Sequence, residues 1–227
     1  MKIEVNFKMF ENKKNVFWEA LLVTLVVFIL GLLLGVAFEG SRLDTINEYY
    51  AKSELSIIDM VALNNLINLK DVNCDLIFES NVNFANKIYE EAILLERYEQ
   101  SGKITDDIKL THKKYDLLRT FLWINLMKAE EKCSEKFPLI VYLYEYEPEE
   151  LTKRATQKVW SKVLMDLKEE KGDEIILISI AVDNSLISLN SIINKFNISE
   201  LPVVIVNNEH VVEKLSSSEE LKKYLDE

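Results

Sequence analysis

The chain has 227 residues, of which 38 are acidic and 27 basic, giving a formal net charge of −11 at pH 7. Such an acidic surface repels phosphate backbones, so no nucleic acid is expected as a partner. With 5 glycines and 3 prolines, the chain lacks the composition of a flexible linker or a disordered protein. Its length allows one membrane span and one or two small domains.

The strongest apolar run is residues 16–38, with the sequence VFWEALLVTLVVFILGLLLGVAF. From Ala20 to Phe38 it contains no charged residue, and about twenty apolar residues suffice to cross the hydrocarbon core of a bilayer. A cleaved signal peptide has a shorter apolar core and small residues at its cleavage site. The run therefore predicts a signal anchor, and hence a single-pass protein held in the lipid bilayer.

The charges on either side of this run indicate its orientation. Four lysines precede it within residues 1–15, whereas acidic residues outnumber basic ones from residue 39 onwards. Because positive charge resists translocation, residues 1–15 are predicted to form a cytoplasmic tail. The chain from residue 39 is predicted to be extracytoplasmic, tethered to the cell membrane.

Two glycines in the span, Gly31 and Gly35, form a GxxxG pattern. Small residues at this spacing allow two spans to approach closely, which would give a homodimer. Glycine is common in membrane spans in general, so the pattern supports dimerisation only weakly.

Residues 39–136 carry apolar side chains three and four positions apart, a spacing typical of amphipathic helices. One such stretch follows the span as far as Lys70, and two more cover Val82–Gln100 and Asp106–Cys133. They predict a helical stalk in which three helices pack as a small bundle. The alternative is a coiled coil that binds a partner. His112 stands in a charged stretch and is predicted to be solvated.

From Phe137 the apolar residues fall in short runs that are typical of buried strands. LIVYLY at 139–144 and IILISIAV at 175–182 are separated by an amphipathic stretch at 149–171. This arrangement predicts a parallel strand pair joined by a right-handed helical crossover.

The rest of the chain predicts a helix, a hairpin and a last helix. A short helix is expected at 188–196, and strands at 203–206 and 210–215 are joined by Asn207-Asn208, a favourable hairpin turn. Ser217 and Glu220 have the spacing of a capping box at the start of the last helix.

The order β-α-β-α-β-β-α, with Pro202 directly ahead of the third strand, resembles the thioredoxin family, here as an α/β domain at 137–227. The best residues are LIVYLY, IILISIAVD, NKFNISELPVVIV and SSSEELKKYL. In that family the residue before the matching proline is joined by a cis bond and faces the substrate. The resemblance therefore implies a candidate peptide-binding groove at Leu201 and Pro202, to which Tyr146 in the turn after the first strand is added.

The turn that carries a CxxC pair in redox-active thioredoxins contains no cysteine in this chain. It has the sequence EYEPEELTK at 145–153. Glutamates suit the positive end of a helix dipole, but they provide no nucleophile that attacks a disulfide. The sequence therefore predicts a redox-inactive domain with no catalytic residue and no cofactor.

Cys74 and Cys133 are the two cysteines of the chain. They bracket the second and third predicted helices, an arrangement that resembles membrane-anchored thioredoxin-like proteins with a helical hairpin between two cysteines. The simplest hypothesis is a structural disulfide in an oxidising compartment. The alternative is a thiol-disulfide oxidoreductase or redox sensor that uses this pair. Two cysteines without a CxxC or HxxH spacing give no metal site.

Asn197-Ile198-Ser199 matches the acceptor pattern for N-glycosylation. Together, the patterns predict an extracytoplasmic, thioredoxin-like binding or scaffolding module whose partner is an exported or membrane protein client. A purely structural stalk protein is a further alternative.

Overall fold

The computed structural model describes residues 13–67, 73–101, 106–133 and 137–225. It has two compact units, one within Met1–Ala51 and one comprising Lys52–Glu227. Most of the predicted cytoplasmic tail lies outside the described residues, as do residues 102–105, between the second and third predicted helices.

The first helix, α1, is Lys13–Ile67. Its segment Val16–Phe38 has a mean hydropathy of 3.0 and no buried residue, and by length and composition it is able to cross a membrane. A signal anchor and a signal peptide both fit this description. A side chain placed at Gly31 or Gly35 would meet no atom within 4 Å, so this face of the helix is open, and dimerisation through it stays a prediction.

Two further helices follow, α2 at Cys74–Ser101 and α3 at Asp106–Cys133. Helix α2 begins well before Val82, where the helix was predicted to start, because the residues from Cys74 onwards continue the apolar face of the helix. Its buried side chains recur three, four and seven positions apart, as do those of α3. The fully or nearly buried apolar residues of these two helices are Ile77, Phe84, Ile88, Tyr115, Leu118, Leu122, Trp123, Leu126 and Ala129.

A four-stranded mixed sheet forms after the helices. Its first two strands, β1 at Leu139–Tyr144 and β2 at Ile176–Ala181, are parallel and joined by helix α4 at Leu151–Lys171. The strands consist largely of branched and aromatic residues, which favour extended backbone. The predicted parallel pair with a connecting helix is confirmed.

The chain continues through helix α5 at Ile187–Lys195 to a hairpin of β3, Val203–Val206, and β4, His210–Val212. The sheet order is β2-β1-β3-β4, with β3 antiparallel to both of its neighbours. Strand β4 ends sooner than predicted. The peptide bond between Leu201 and Pro202 is cis, as the sequence resemblance implies.

The last helix, α6, is Ser218–Leu225. It begins with the predicted capping box: the Ser217 amide donates to Glu220 Oε2 at 3.0 Å, and the Glu220 amide donates to Ser217 Oγ at 3.3 Å. These bonds satisfy backbone donors that a helix start otherwise leaves without acceptors.

The two faces of the sheet are covered by different helices. Side chains of α4 and α6, including Trp160, Leu164 and Leu221, pack on one face. On the other face α5 packs together with α2 and α3, whose Leu122 and Leu126 share a core with the strands. The sequence division at Phe137 therefore runs through one hydrophobic core, and the helices that precede it form part of the unit that contains the sheet.

Asn208 connects this helical layer to the β3–β4 turn. Asn207 and Asn208 both have positive φ angles, of 50° and 57°, which a two-residue hairpin turn requires. The Asn208 side chain accepts a hydrogen bond from Trp123 Nε1 at 2.7 Å and donates one to Glu130 Oε2 at 2.7 Å.

Substituting Asn208→Gly is expected to lower the free energy of unfolding by about 1–3 kcal/mol, because the buried Trp123 indole loses its acceptor. Glycine tolerates the positive φ, so the backbone of the turn is retained. Chemical denaturation of the full chain in detergent measures the loss. In a double-mutant cycle with Trp123→Phe the two losses should not add, and strict additivity would contradict the contact.

Candidate functional site

The turn after β1 is held in place by two side chains from neighbouring elements. The Tyr146 amide donates to both carboxylate oxygens of Asp183, at 2.9 and 3.0 Å. Gln157 of α4 donates to the carbonyl of Glu145 at 2.8 Å and accepts from its amide at 3.2 Å. The turn is thus ordered, and its side chains offer carboxylates and a phenol but no thiol.

Glu145 in this turn pairs with Lys153 of α4, with 2.7 Å between Oε1 and Nζ. The hydrogen bond from Glu145 raises the pKa of the Lys153 ammonium above its ordinary value. This pair keeps one charge of the turn compensated at neutral pH.

A buried carboxylate, Asp116 of α3, lies at the carboxyl end of β2. It accepts hydrogen bonds from His112 Nδ1 at 2.9 Å, from the Ala181 amide at 3.1 Å, from Arg119 Nη1 at 3.4 Å and from the amide group of Asn184. The Asp116 side chain has no exposed surface. A buried charge is stable only where it is paired and hydrogen-bonded, and these four bonds meet that requirement. Because Ala181 belongs to β2, the bond to its amide also joins α3 to the sheet.

His112 connects this network to the turn. Its Nε2 lies 3.4 Å from the Tyr144 hydroxyl, and its ring centroid lies 4.1 Å from that of Tyr146. The prediction of a solvated His112 is wrong, since the residue is 7% exposed. The spacing of His112 and Asp116, four residues apart on one helix, was the signal in the sequence.

The His112–Asp116 pair orients an imidazole, but the groups next to it are phenols. Nothing in this cluster is a serine or cysteine nucleophile that the imidazole would activate. In the described part of the chain, no group of three or more His, Cys, Asp or Glu side chains is placed to hold a metal ion.

An open groove of about 1040 Å³ lies beside this network. One wall comes from α2, with Ala85, Ile88 and Ala92, and the opposite wall comes from α4. Strands β1 and β2, the α3 residues His112, Arg119 and Leu122, and the turn at Tyr146 complete the lining. On the α4 side, the buried Tyr142 hydroxyl donates to the Gln157 carbonyl at 3.3 Å, and burial raises the pKa of this phenol, which keeps it neutral.

The three residues of the candidate peptide-binding surface are not all in this groove. Tyr146 lines the groove, whereas Leu201 and Pro202 are not among the residues that line it. Leu201 is half-buried and packs against the core of the helical face, and Pro202 is buried. A role for Leu201 and Pro202 in binding stays a prediction.

Cys74 and Cys133 form a disulfide bond, as predicted, with a sulfur–sulfur distance of 2.04 Å. The bond joins the start of α2 to the end of α3, between residues 59 apart in sequence. Asn197 is exposed, which leaves it accessible, and its glycosylation stays a prediction.

Comparison with known proteins identifies no family. No family model matches the chain, and no curated protein matches it. A solved structure described as that of a malarial protein is similar over 39% of this chain and 92% of its own length, with 18% identity and a TM-score of 0.31. So low a TM-score carries no argument about fold or function.

Proposed function

We propose that this protein is a membrane-tethered, extracytoplasmic binding module that holds an exported or membrane protein client and performs no dithiol chemistry. The observation that carries the proposal is the open groove that ends at an ordered turn without a thiol. A groove with an apolar floor and a few fixed polar groups is the usual form of a binding site.

The domain that follows Phe137 is proposed to be thioredoxin-like. Its support is the order of elements and the sheet order β2-β1-β3-β4, with one parallel pair and one antiparallel hairpin. Function does not follow from such a fold, so the groove and not the likeness supports the binding role.

The tether and the orientation rest on separate features. The apolar segment Val16–Phe38 supplies the anchor, and the preceding lysines favour a cytoplasmic N-terminus. The Cys74–Cys133 disulfide supports an extracytoplasmic location, because such bonds persist in oxidising compartments.

Photocrosslinking in native membranes tests the binding role. With a photoreactive residue in place of Tyr146, one client should be captured reproducibly and identified by the crosslinked peptide. The same residue in place of Leu215, which is exposed on the β4–α6 connection, is the matched control and should not capture it. Equal capture at both positions, or none at Tyr146, would contradict the proposal.

Leu201→Asp, introduced into the Tyr146 photocrosslinking variant, tests the surface beside the cis-proline. Capture should be lost, because a charge would disrupt an apolar contact there, while the unfolding transition shows that the fold persists. Undiminished capture would show that Leu201 does not contribute to binding, but it would not contradict the proposed binding role.

A further inference from the structure

Strand β2 forms one edge of the sheet, and its backbone groups alternate between two sides. The amides of Ile176 and Val182 donate to the carbonyls of Pro138 and Tyr144, at 2.9 Å each, so the even-numbered residues direct their backbone groups towards β1. The N–H and C=O groups of Leu177, Ser179 and Ala181 therefore point away from β1, towards the groove.

Side chains occupy both ends of this outer edge. Lys168 Nζ donates to the Ile175 carbonyl at 2.9 Å, and Asp116 Oδ1 accepts from the Ala181 amide at 3.1 Å. Between them, no hydrogen bond within the described residues engages the outward groups of Leu177 or Ser179. An unpaired strand edge is a template for another strand.

The two walls of the groove differ in chemistry. The wall from α2 is largely apolar, with Ala85, Ile88 and Ala92, and two of these side chains are small. The wall from α4 is charged. A strand lying against β2 would alternate its side chains between these two walls, apolar towards α2 and polar towards α4.

The charges along α4 change sign from one end of the groove to the other. Lys158 and Lys162 come first, and Asp166 and Glu169 follow. Because α4 runs antiparallel to β2 in the crossover, the lysines lie towards Ala181 and the carboxylates lie towards the start of β2.

We propose that this edge binds an extended segment of another protein, which adds to β2 as an antiparallel strand with alternating apolar and charged side chains. Its acidic residue lies beside Lys158 and Lys162, and its basic residue, nearer its C-terminus, lies beside Asp166 and Glu169. The inference rests on the proposed binding function and names the chemistry of the client. Main-chain pairing supplies affinity, and the charges fix register.

A second copy of this chain does not suit the same edge. Its own β2 is flanked by α2 and α4, so an edge-to-edge pair of sheets would bring four helices together around the joint. A single extended segment brings no such layers.

The test uses the full chain in nanodiscs and the capped peptide Val-Glu-Val-Thr-Val-Lys-Val as the probe. In an antiparallel pair the residues opposite Leu177 and Ser179 share their face of the sheet, so the Glu, Thr and Lys amides must point at β2. Methylating the backbone nitrogens of Thr and Lys should weaken binding at least about tenfold, since two hydrogen bonds are lost. Methylating the backbone nitrogens of the two central valines should leave the affinity within about twofold of the parent, because these amides point away from β2.

Other outcomes overturn the proposal. If both methylated peptides bind as well as the parent, the peptide does not pair with the strand. If the valine amides are the sensitive ones, the pairing is not antiparallel. If the parent peptide does not bind while Tyr146 still captures a client, the edge is not the site, although the proposed function stands.

A charge exchange tests the register independently. Lys158→Glu combined with Lys162→Glu should weaken the parent peptide about tenfold, and the peptide with Glu and Lys exchanged should then bind better than the parent. Both lysines are exposed, so folding should be unaffected. Lys223→Glu, exposed on α6, is the control and should change neither affinity. Equal affinities of both peptides for both proteins would refute the assigned register.

Discussion

Substituting Asp116→Ala is expected to lower the free energy of unfolding by about 3–5 kcal/mol, the usual loss when a buried charge pair is broken. Four donors lose their common acceptor, among them the Ala181 amide at 3.1 Å and His112 Nδ1 at 2.9 Å. The connection between α3 and the end of β2 is lost with them. Denaturant unfolding of the full chain in detergent, followed by tryptophan fluorescence, measures the effect.

Asp116→Asn is the matched control for this prediction. It keeps the volume and one carbonyl oxygen, so it should cost less than Asp116→Ala. Asp183→Ala should also cost less, because Asp183 is exposed and binds two amides of the turn. If Asp116→Ala were no more destabilising than Asp183→Ala, Asp116 would not join the helical layer to the sheet.

Replacing both Cys74 and Cys133 by serine is expected to cost about 4 kcal/mol, from the loop-closure entropy that the bond removes from the unfolded chain. The bond joins residues 59 apart in sequence, at the start of α2 and the end of α3, and those helices help to cover one face of the sheet. The unfolding midpoint should drop to that of the wild-type chain under reducing conditions, and the reductant should not shift the variant further.

A midpoint unchanged by the double substitution would contradict the structural role. The reduction potential then decides between the two hypotheses for the pair. A structural bond is expected below about −300 mV, whereas a value near about −200 mV, where cellular thiol couples operate, would favour an exchange enzyme that uses Cys74 and Cys133.

The sheet was accessible to sequence reasoning because its signals are local. LIVYLY and IILISIAV are short runs rich in branched and aromatic residues, which favour strands. Asn207-Asn208 predicts a hairpin turn because asparagine tolerates the positive φ angles that such a turn requires. The capping box at Ser217 and Glu220 is equally local, since both bonds span three residues.

The packing of the helices on the sheet was not accessible in the same way. The apolar stripe of α3 shows that Leu122 and Leu126 are buried, but their period does not say what covers them. An intramolecular bundle and a layer on the sheet demand the same stripe. The structure places both residues in the core that contains β1 and β3, so the helices form part of the sheet unit.

The groove depended on contacts that are distant in sequence. Asp116 and Ala181 are 65 residues apart, and a charged stretch around His112 predicts a solvated helix face until β2 is placed against it. The open edge at Leu177 and Ser179 likewise exists only because β2 ends the sheet. A pattern of buried strands does not state which strand lies at the edge.

The intact mass of the protein isolated from native membranes tests most directly whether it is a tethered, extracytoplasmic module. The sample is alkylated before and after reduction. The expected mass retains residues 16–38, with Cys74 and Cys133 unmodified until the disulfide is reduced. A mass that lacks the apolar segment would contradict the tether, and alkylation of both cysteines without reduction would contradict the extracytoplasmic location.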